Sequence, residues 1–124
     1  MQIFKTRTFA RWARKEPLND TALRAAVVEM QAGLVDAVLG GGLVKKRVAR
    51  AGGGKRGGYR TLLATNLRDR WVFLFGFSKS ERDNVDEPEL RALKHIAQAY
   101  LGMDEQTRDR LLDAGELIEV DDGE

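Results

Sequence analysis

Apolar positions recur along the chain at two periods, and the switch between them divides it into a helical start, a strand-forming middle and a helical end. Gln2-Ile3-Phe4 predicts a short strand at a sheet edge. Phe9, Trp12 and Ala13 then fall at helical spacing, with Arg11, Arg14 and Lys15 mostly on the other side. Pro17 ends that helix. Asn19 or Asp20 is placed to cap a second one, in which Leu23, Ala26, Val27, Met30 and Leu34 repeat at i, i+3, i+4 spacing. The short link between the two amphipathic helices predicts an antiparallel pair.

After Gly40-Gly41-Gly42 the character changes. Residues 43–50 read as a strand, 52–58 as a glycine-rich connecting loop, 59–66 as a second strand, 67–70 as a tight turn and 71–77 as a third strand. Consecutive strands with short links predict an antiparallel meander. Asp86 or Glu87 opens the next helix, with Pro88 in its first turn and one stripe of Leu90, Leu93, Ile96, Ala97, Tyr100 and Leu101. Asp104 caps a final helical turn or two through Leu111 and Leu112, ahead of Gly115. The order β-α-α-β-β-β-α-α predicts a small α+β domain, with its helices on one face of an antiparallel sheet of three to four strands. The expected domain spans residues 1–115, and 116–124 read as an acidic tail.

Composition narrows the function classes. The 124 residues are 43% apolar and 32% charged, enough for one modest core. The absence of cysteine excludes disulfides, cysteine-ligated zinc and a thiol nucleophile. No apolar run approaches the roughly 20 residues of a membrane span, and residues 1–7 hold no stretch of signal-peptide length, so a cytoplasmic protein without membrane contact is expected. The net charge of +2 conceals a split: residues 1–82 carry 17 Lys/Arg against 6 Asp/Glu, whereas 83–124 carry 4 against 13. A polyanion-binding body followed by an acidic segment is the expectation.

Between Lys45 and Arg60 lie seven basic residues and no acidic one: Lys45, Lys46, Arg47, Arg50, Lys55, Arg56 and Arg60. Basic strands joined by a glycine-rich loop suit a phosphate backbone. Tyr59 and Phe77 are candidates for stacking on unpaired bases, which favours RNA or single strands. The loop lacks the spacing of a nucleotide-binding P-loop and joins two strands, so that reading is excluded. A second basic group, Lys79 and Arg82, follows the third strand. His95 reads as a helix-surface residue, and Trp12 and Trp71 as core.

Three fragments occur in order: Gly40-Gly41-Gly42-Leu43 with Lys45-Lys46-Arg47, then Gly57-Gly58-Tyr59-Arg60-Thr61, then Phe75-Gly76-Phe77-Ser78-Lys79-Ser80-Glu81-Arg82-Asp83-Asn84. In order and spacing this set resembles the RelE superfamily, and within it the HigB-like branch, over residues 3–101. The resemblance implies a RelE-like microbial RNase fold and the toxin of a type II toxin–antitoxin pair. It further implies an endoribonuclease that cuts mRNA in the ribosomal A site without a metal or other cofactor, inhibiting translation. In that reaction the ribose 2′-OH attacks the adjacent phosphate and the 5′-oxygen leaves. Cations fixed around the phosphate suit such chemistry, and arginine grips two oxygens at once.

By match to the family's Gly-Tyr-Arg strand, Arg60 is assigned to the transition-state phosphate. Lys45 and Arg47 match alternate basic positions of the preceding strand, share one face at period two, and are assigned to charge stabilisation. Lys45 is also a candidate general base, which a lysine is only when neutral. Lys79 and Arg82 match the segment after the third strand and are assigned to substrate binding or protonation of the leaving oxygen. Lys46, Arg50, Lys55 and Arg56 are expected to contact the RNA backbone, although Lys46 and Arg50 take the opposite face of a regular strand from Lys45 and Arg47. The chain departs from RelE itself in carrying Ser80 where an arginine follows the lysine, and Asp86 near the place of a tyrosine.

The implied partners are a cognate antitoxin of helix-turn-helix type, the ribosome with its mRNA, and promoter DNA reached only through the antitoxin. A ParE-like gyrase inhibitor and a non-catalytic RNA-binding relative are the alternatives. Gyrase binding does not need the phosphate-binding set, whereas cations without a histidine or an acidic pair serve RNA binding as well as cleavage.

Overall fold

Strands that send apolar side chains to both faces need cover on both faces. Every residue of the fourth strand in chain order, Tyr59–Thr65, is buried, and this sets the architecture. The computed structural model describes residues 1–49 and 58–120. Among them the chain forms β1 (Gln2–Thr6), α1 (Arg7–Lys15), α2 (Asp20–Gln31), β2 (Ala37–Gly40), β3 (Leu43–Val48), β4 (Tyr59–Thr65), β5 (Arg70–Ser78), α3 (Glu87–Gly102), α4 (Glu105–Asp113) and β6 (Leu117–Glu119). The described strands make one six-stranded sheet in the order β2-β3-β4-β5-β1-β6.

The predicted meander is present as β3-β4-β5, antiparallel throughout. The rest of the sheet differs from the expectation. β1 is not an edge strand: it lies between β5, to which it is parallel, and β6, to which it is antiparallel. The sheet is therefore mixed and larger than the three to four strands expected. A strand of four or three residues shows almost no period, so the sequence pattern does not announce β2 or β6. β6 also moves the domain boundary. Leu117 and Val120 are buried, so the expected tail from 116 is part of the fold as far as 120, and residues 121–124 lie outside the described residues.

The helices cover both faces rather than one. α1 and α2 close a core containing Ile3, Phe9, Leu23, Val27, Trp71 and Phe73. α3 and α4 lie over the other, which contains Phe4, Leu62, Val72, Leu93 and Leu117. The neighbours Ile3 and Phe4 thus enter different cores, as strand alternation requires. On the sheet α1 packs chiefly on β5 and α2 on β3, and Phe9 and Ala13 of α1 share one core with Leu23 and Ala26 of α2. Leu34, expected on the apolar stripe of α2, lies beyond the helix and is exposed.

Side-chain caps start each helix: Thr6 accepts from the Phe9 N–H, Asn19 from Ala22, Asp86 from Glu89 and Asp104 from Thr107. The hydrogen bonds from Thr107 hold the Asp104 carboxyl below the usual carboxylate range. Arg70 fastens the far end of α3. Its Nη1 donates to the carbonyls of Tyr100 (3.1 Å) and Met103 (3.0 Å), while its Nε donates to Gln2 Oε1 (3.0 Å). Those carbonyls lack helical partners at the helix end, and a guanidinium supplies both donors and positive charge there.

Two contacts fix α1 and α2 on their face. Gly76 lets α1 approach β5: a Cβ there would stand 2.2 Å from the Trp12 ring. Trp12 is itself held by Phe9 and by the edge of Tyr59, at ring separations of 5.4 and 5.5 Å. Under α2, Lys46 is buried; its Nζ pairs with Glu29 Oε1 at 2.7 Å and donates to the Leu34 carbonyl at 2.9 Å.

Gly76→Ala is therefore expected to destabilise the fold by about 1–3 kcal/mol through overpacking, read as a lower midpoint in denaturant unfolding. Lys46→Met keeps the apolar stem and replaces the buried ammonium. Because Glu29 loses its buried cation and the Leu34 carbonyl its donor, the substitution should destabilise the fold by about 1–3 kcal/mol, with RNA affinity and its salt dependence unchanged. A flatter salt slope would return Lys46 to the RNA-binding surface.

Candidate active site

Alternation along β3 and β4 sorts the basic run into two sets. Val44, Lys46 and Val48 of β3 face α2, and Leu43, Lys45 and Arg47 face the α3 side. On β4, Tyr59 and Leu63 join the first core, while Leu62 and Ala64 join the second and carry Arg60 to the α3 side. The register then aligns the functional candidates: Arg47 is opposite Arg60, Arg60 opposite Phe77, and Lys45 opposite Leu62, itself opposite Phe75.

Directly opposed side chains on neighbouring strands have Cβ atoms about 4.5–5.5 Å apart, and like charges in that position repel. Arg60 is only 8% exposed, and its Nη1 is buried with no hydrogen-bond partner among the described residues. Arg47 is exposed and leans the other way. Its backbone N–H donates to Asp36 Oδ2 at 2.7 Å, and its Nε stands 3.9 Å from Asp36 Oδ1. Lys45 is half-buried and makes no ion pair among the described residues.

Arg82 completes the group from the segment after β5. Its guanidinium lies over the rings of Phe75 and Phe77, 5.6 and 5.5 Å from their centroids, and pairs with Glu89 of α3. Cation–π contact with two rings holds it against the sheet. Because Phe77 is the cross-strand neighbour of Arg60, Arg82 is brought beside Arg60. Lys79 is exposed in the turn that leaves β5. In the same turn the Ser78 hydroxyl and then its backbone N–H donate to Glu81 Oε1, at 2.8 and 3.2 Å. These bonds hold the Glu81 carboxyl below the usual range, so it is ionised at neutral pH and is no proton donor there.

The structure thus gathers Lys45, Arg47, Arg60 and Arg82 on one face, with Lys79 at its margin. Three sequence assignments need correction. Lys46 is on the opposite face, neutralised by Glu29, and is not placed to touch RNA. Tyr59 is buried, with its hydroxyl donating to the Glu16 carbonyl at 3.1 Å and its ring against Trp12, so it does not present a face to a base. Phe77 is also buried, and its ring carries the Arg82 guanidinium instead of a base. Arg50, Lys55 and Arg56 lie outside the described residues. His95 is exposed on α3, and Trp71 is fully buried, as expected.

Asp36, Phe75 and Glu89 were missed. For Glu89 the signal was present, since Asp86 followed by an acid three positions later is a capping-box pattern. Asp36 had none, and Phe75 had only its place in the third fragment, because their roles depend on which strands become neighbours.

Among the described residues, no helix is long and apolar enough to cross a membrane. No curated protein matches the chain. A family model, the RelE toxin of the RelE/RelB toxin–antitoxin system, matches residues 1–120. That span takes in all six strands and every cation of the site, so the chain belongs to the RelE toxin family, as the toxin of a toxin–antitoxin pair with a cognate antitoxin for its partner.

Proposed function

We propose that this toxin is a metal-independent endoribonuclease of the HigB-like branch, which cuts mRNA on the ribosome and so stops translation. The observation that carries the reading is Arg60, buried, with Nη1 unpartnered among the described residues and with Arg47 directly opposite. Arg47, Arg60 and Arg82 stand on or beside three successive strands, within roughly 10 Å at ordinary strand spacing. Such an arrangement is unfavourable when empty and is relieved by an anion with charge spread over several oxygens. A phosphate passing through its transition state is such an anion.

In the reaction the 2′-oxygen bonds to phosphorus as the bond to the 5′-oxygen breaks; the 2′-hydroxyl loses a proton and the 5′-oxygen gains one. Arg60, fixed by burial on the central strand, holds the non-bridging oxygens. Lys45 and Arg47 add charge from β3. Arg82 and Lys79, at the end of β5, serve substrate binding and the leaving-oxygen side. The ribosome supplies the remaining requirement by ordering the codon in its A site, so that the 2′-oxygen and the leaving oxygen fall in line. A helix-turn-helix antitoxin would neutralise the toxin in the cytoplasm and connect it to promoter DNA.

Brief induction followed by mapping of new mRNA 5′ ends, with and without translation of the message, tests this reading. Cuts are expected inside translated codons only. Arg60→Ala should lower cleavage by about 10²–10³-fold while leaving the fold and antitoxin binding intact. Arg60→Lys should recover only part of the loss, because the paired grip on two oxygens is gone. Full cleavage by folded Arg60→Ala protein, or intact messages with gyrase-linked DNA breaks, would overturn the reading.

A further inference from the structure

We propose that Glu89 is a positioning residue that sets the orientation of Arg82 for the reaction; this rests on the reading of Arg82 as one of the RNA-cleaving cations. Arg82 leaves β5 in the irregular stretch before α3, so no regular backbone element directs it. The Phe75 and Phe77 rings fix the guanidinium's height above the sheet. Ring faces do not fix its rotation, since they attract a cation without choosing among its N–H directions. Glu89 does choose, because its Oε1 accepts from Arg82 Nη2. The Nε of Arg82 is buried without a partner among the described residues, and Glu89 is the carboxylate that pairs directly with its guanidinium, the Glu81 charge acting on it without an ion pair.

The carboxylate that aims Arg82 is itself locked. Glu89 Oε1 also accepts from the Asp86 N–H at 3.0 Å, and the Glu89 N–H donates to Asp86 Oδ1 at 2.8 Å, closing a capping box on the first turn of α3. The other end of the helix is tied to Arg70. Arg70 at the start of β5 and Arg82 in the segment after it therefore fasten the two ends of α3, and only Arg82 belongs to the cation set. Through Glu89, the placement of α3 becomes the placement of Arg82. A single Nη2 contact leaves Nη1 free for a substrate oxygen, so Glu89 need not be displaced when RNA binds.

Glu89→Gln separates this role from helix capping, because glutamine also serves at that position of a capping box but carries no charge. In single-turnover cleavage of ribosome-bound mRNA the maximal rate should fall about tenfold, with the half-saturating concentration unchanged within about twofold. The unfolding temperature should stay that of wild type. In an Arg82→Ala background, Glu89→Gln should cause no further loss, since the two act as one unit. The Arg82 Nε–Hε signal in ¹⁵N NMR should shift in the Glu89→Gln protein.

A full rate, an equal loss in the Arg82→Ala background, or a loss that tracks a lower unfolding temperature would each overturn the proposal. If the wild-type protein cuts no mRNA, the functional reading fails instead. The Nε–Hε signal then decides alone: a shift supports positioning, and an unmoved signal refutes it.

Discussion

The pairing of β3 with β4 sets Arg47 across from Arg60, and the rest of the site follows from that register. A slip of one residue would turn every side chain of β3 over, sending Lys46 toward α3 and Lys45 with Arg47 into the core beneath α2. The apolar residues prevent it. Leu43 belongs to one core and Val44 and Val48 to the other, so the hydrophobic pattern specifies the strand even though the pairing opposes two cations. Burial of aliphatic surface, about 25 cal/mol per Å² over many side chains, outweighs the repulsion of one exposed–buried arginine pair.

Covering the sheet on both faces then gives each cation a different environment. Lys46, on the α2 side, meets Glu29 and the Leu34 carbonyl and becomes a structural fastening. Arg60, one strand away on the α3 side, keeps a buried nitrogen without a partner. Arg82 lies between these extremes, paired with Glu89 and stacked on two rings. Three basic residues of similar chemistry thus differ in what they can offer an anion, and the difference lies in packing rather than residue type.

Much of this was legible in the sequence where the information is local. Asn19, Asp86 and Asp104 announced their helices, the meander followed from strand-forming runs and short links, and period-two spacing put Lys45 and Arg47 on one face. What was illegible depends on neighbours distant in the chain. Ile3 and Phe4 read the same in an edge strand as in an interior one, and only the pairing with β5 and β6 distinguishes them. Tyr59 and Phe77 read as aromatic platforms because residue type says nothing of which side of a strand is covered. Lys46 read as one more cation until α2 brought Glu29 against it.

The position of β1 also governs the order in which the molecule can be completed. Its partners are residues 70–73 on one side and 117–119 on the other, so both of its pairings are non-local. Closing such long loops carries an entropic cost before any contact rewards it, which makes these the late steps of folding. The three strands that bear the cations form a local hairpin series and need none of this. β3, β4 and β5 can therefore pair with one another before the rest of the sheet has closed, whereas β1, made earlier than any of them, must wait for residues 117–119 before both its edges are paired.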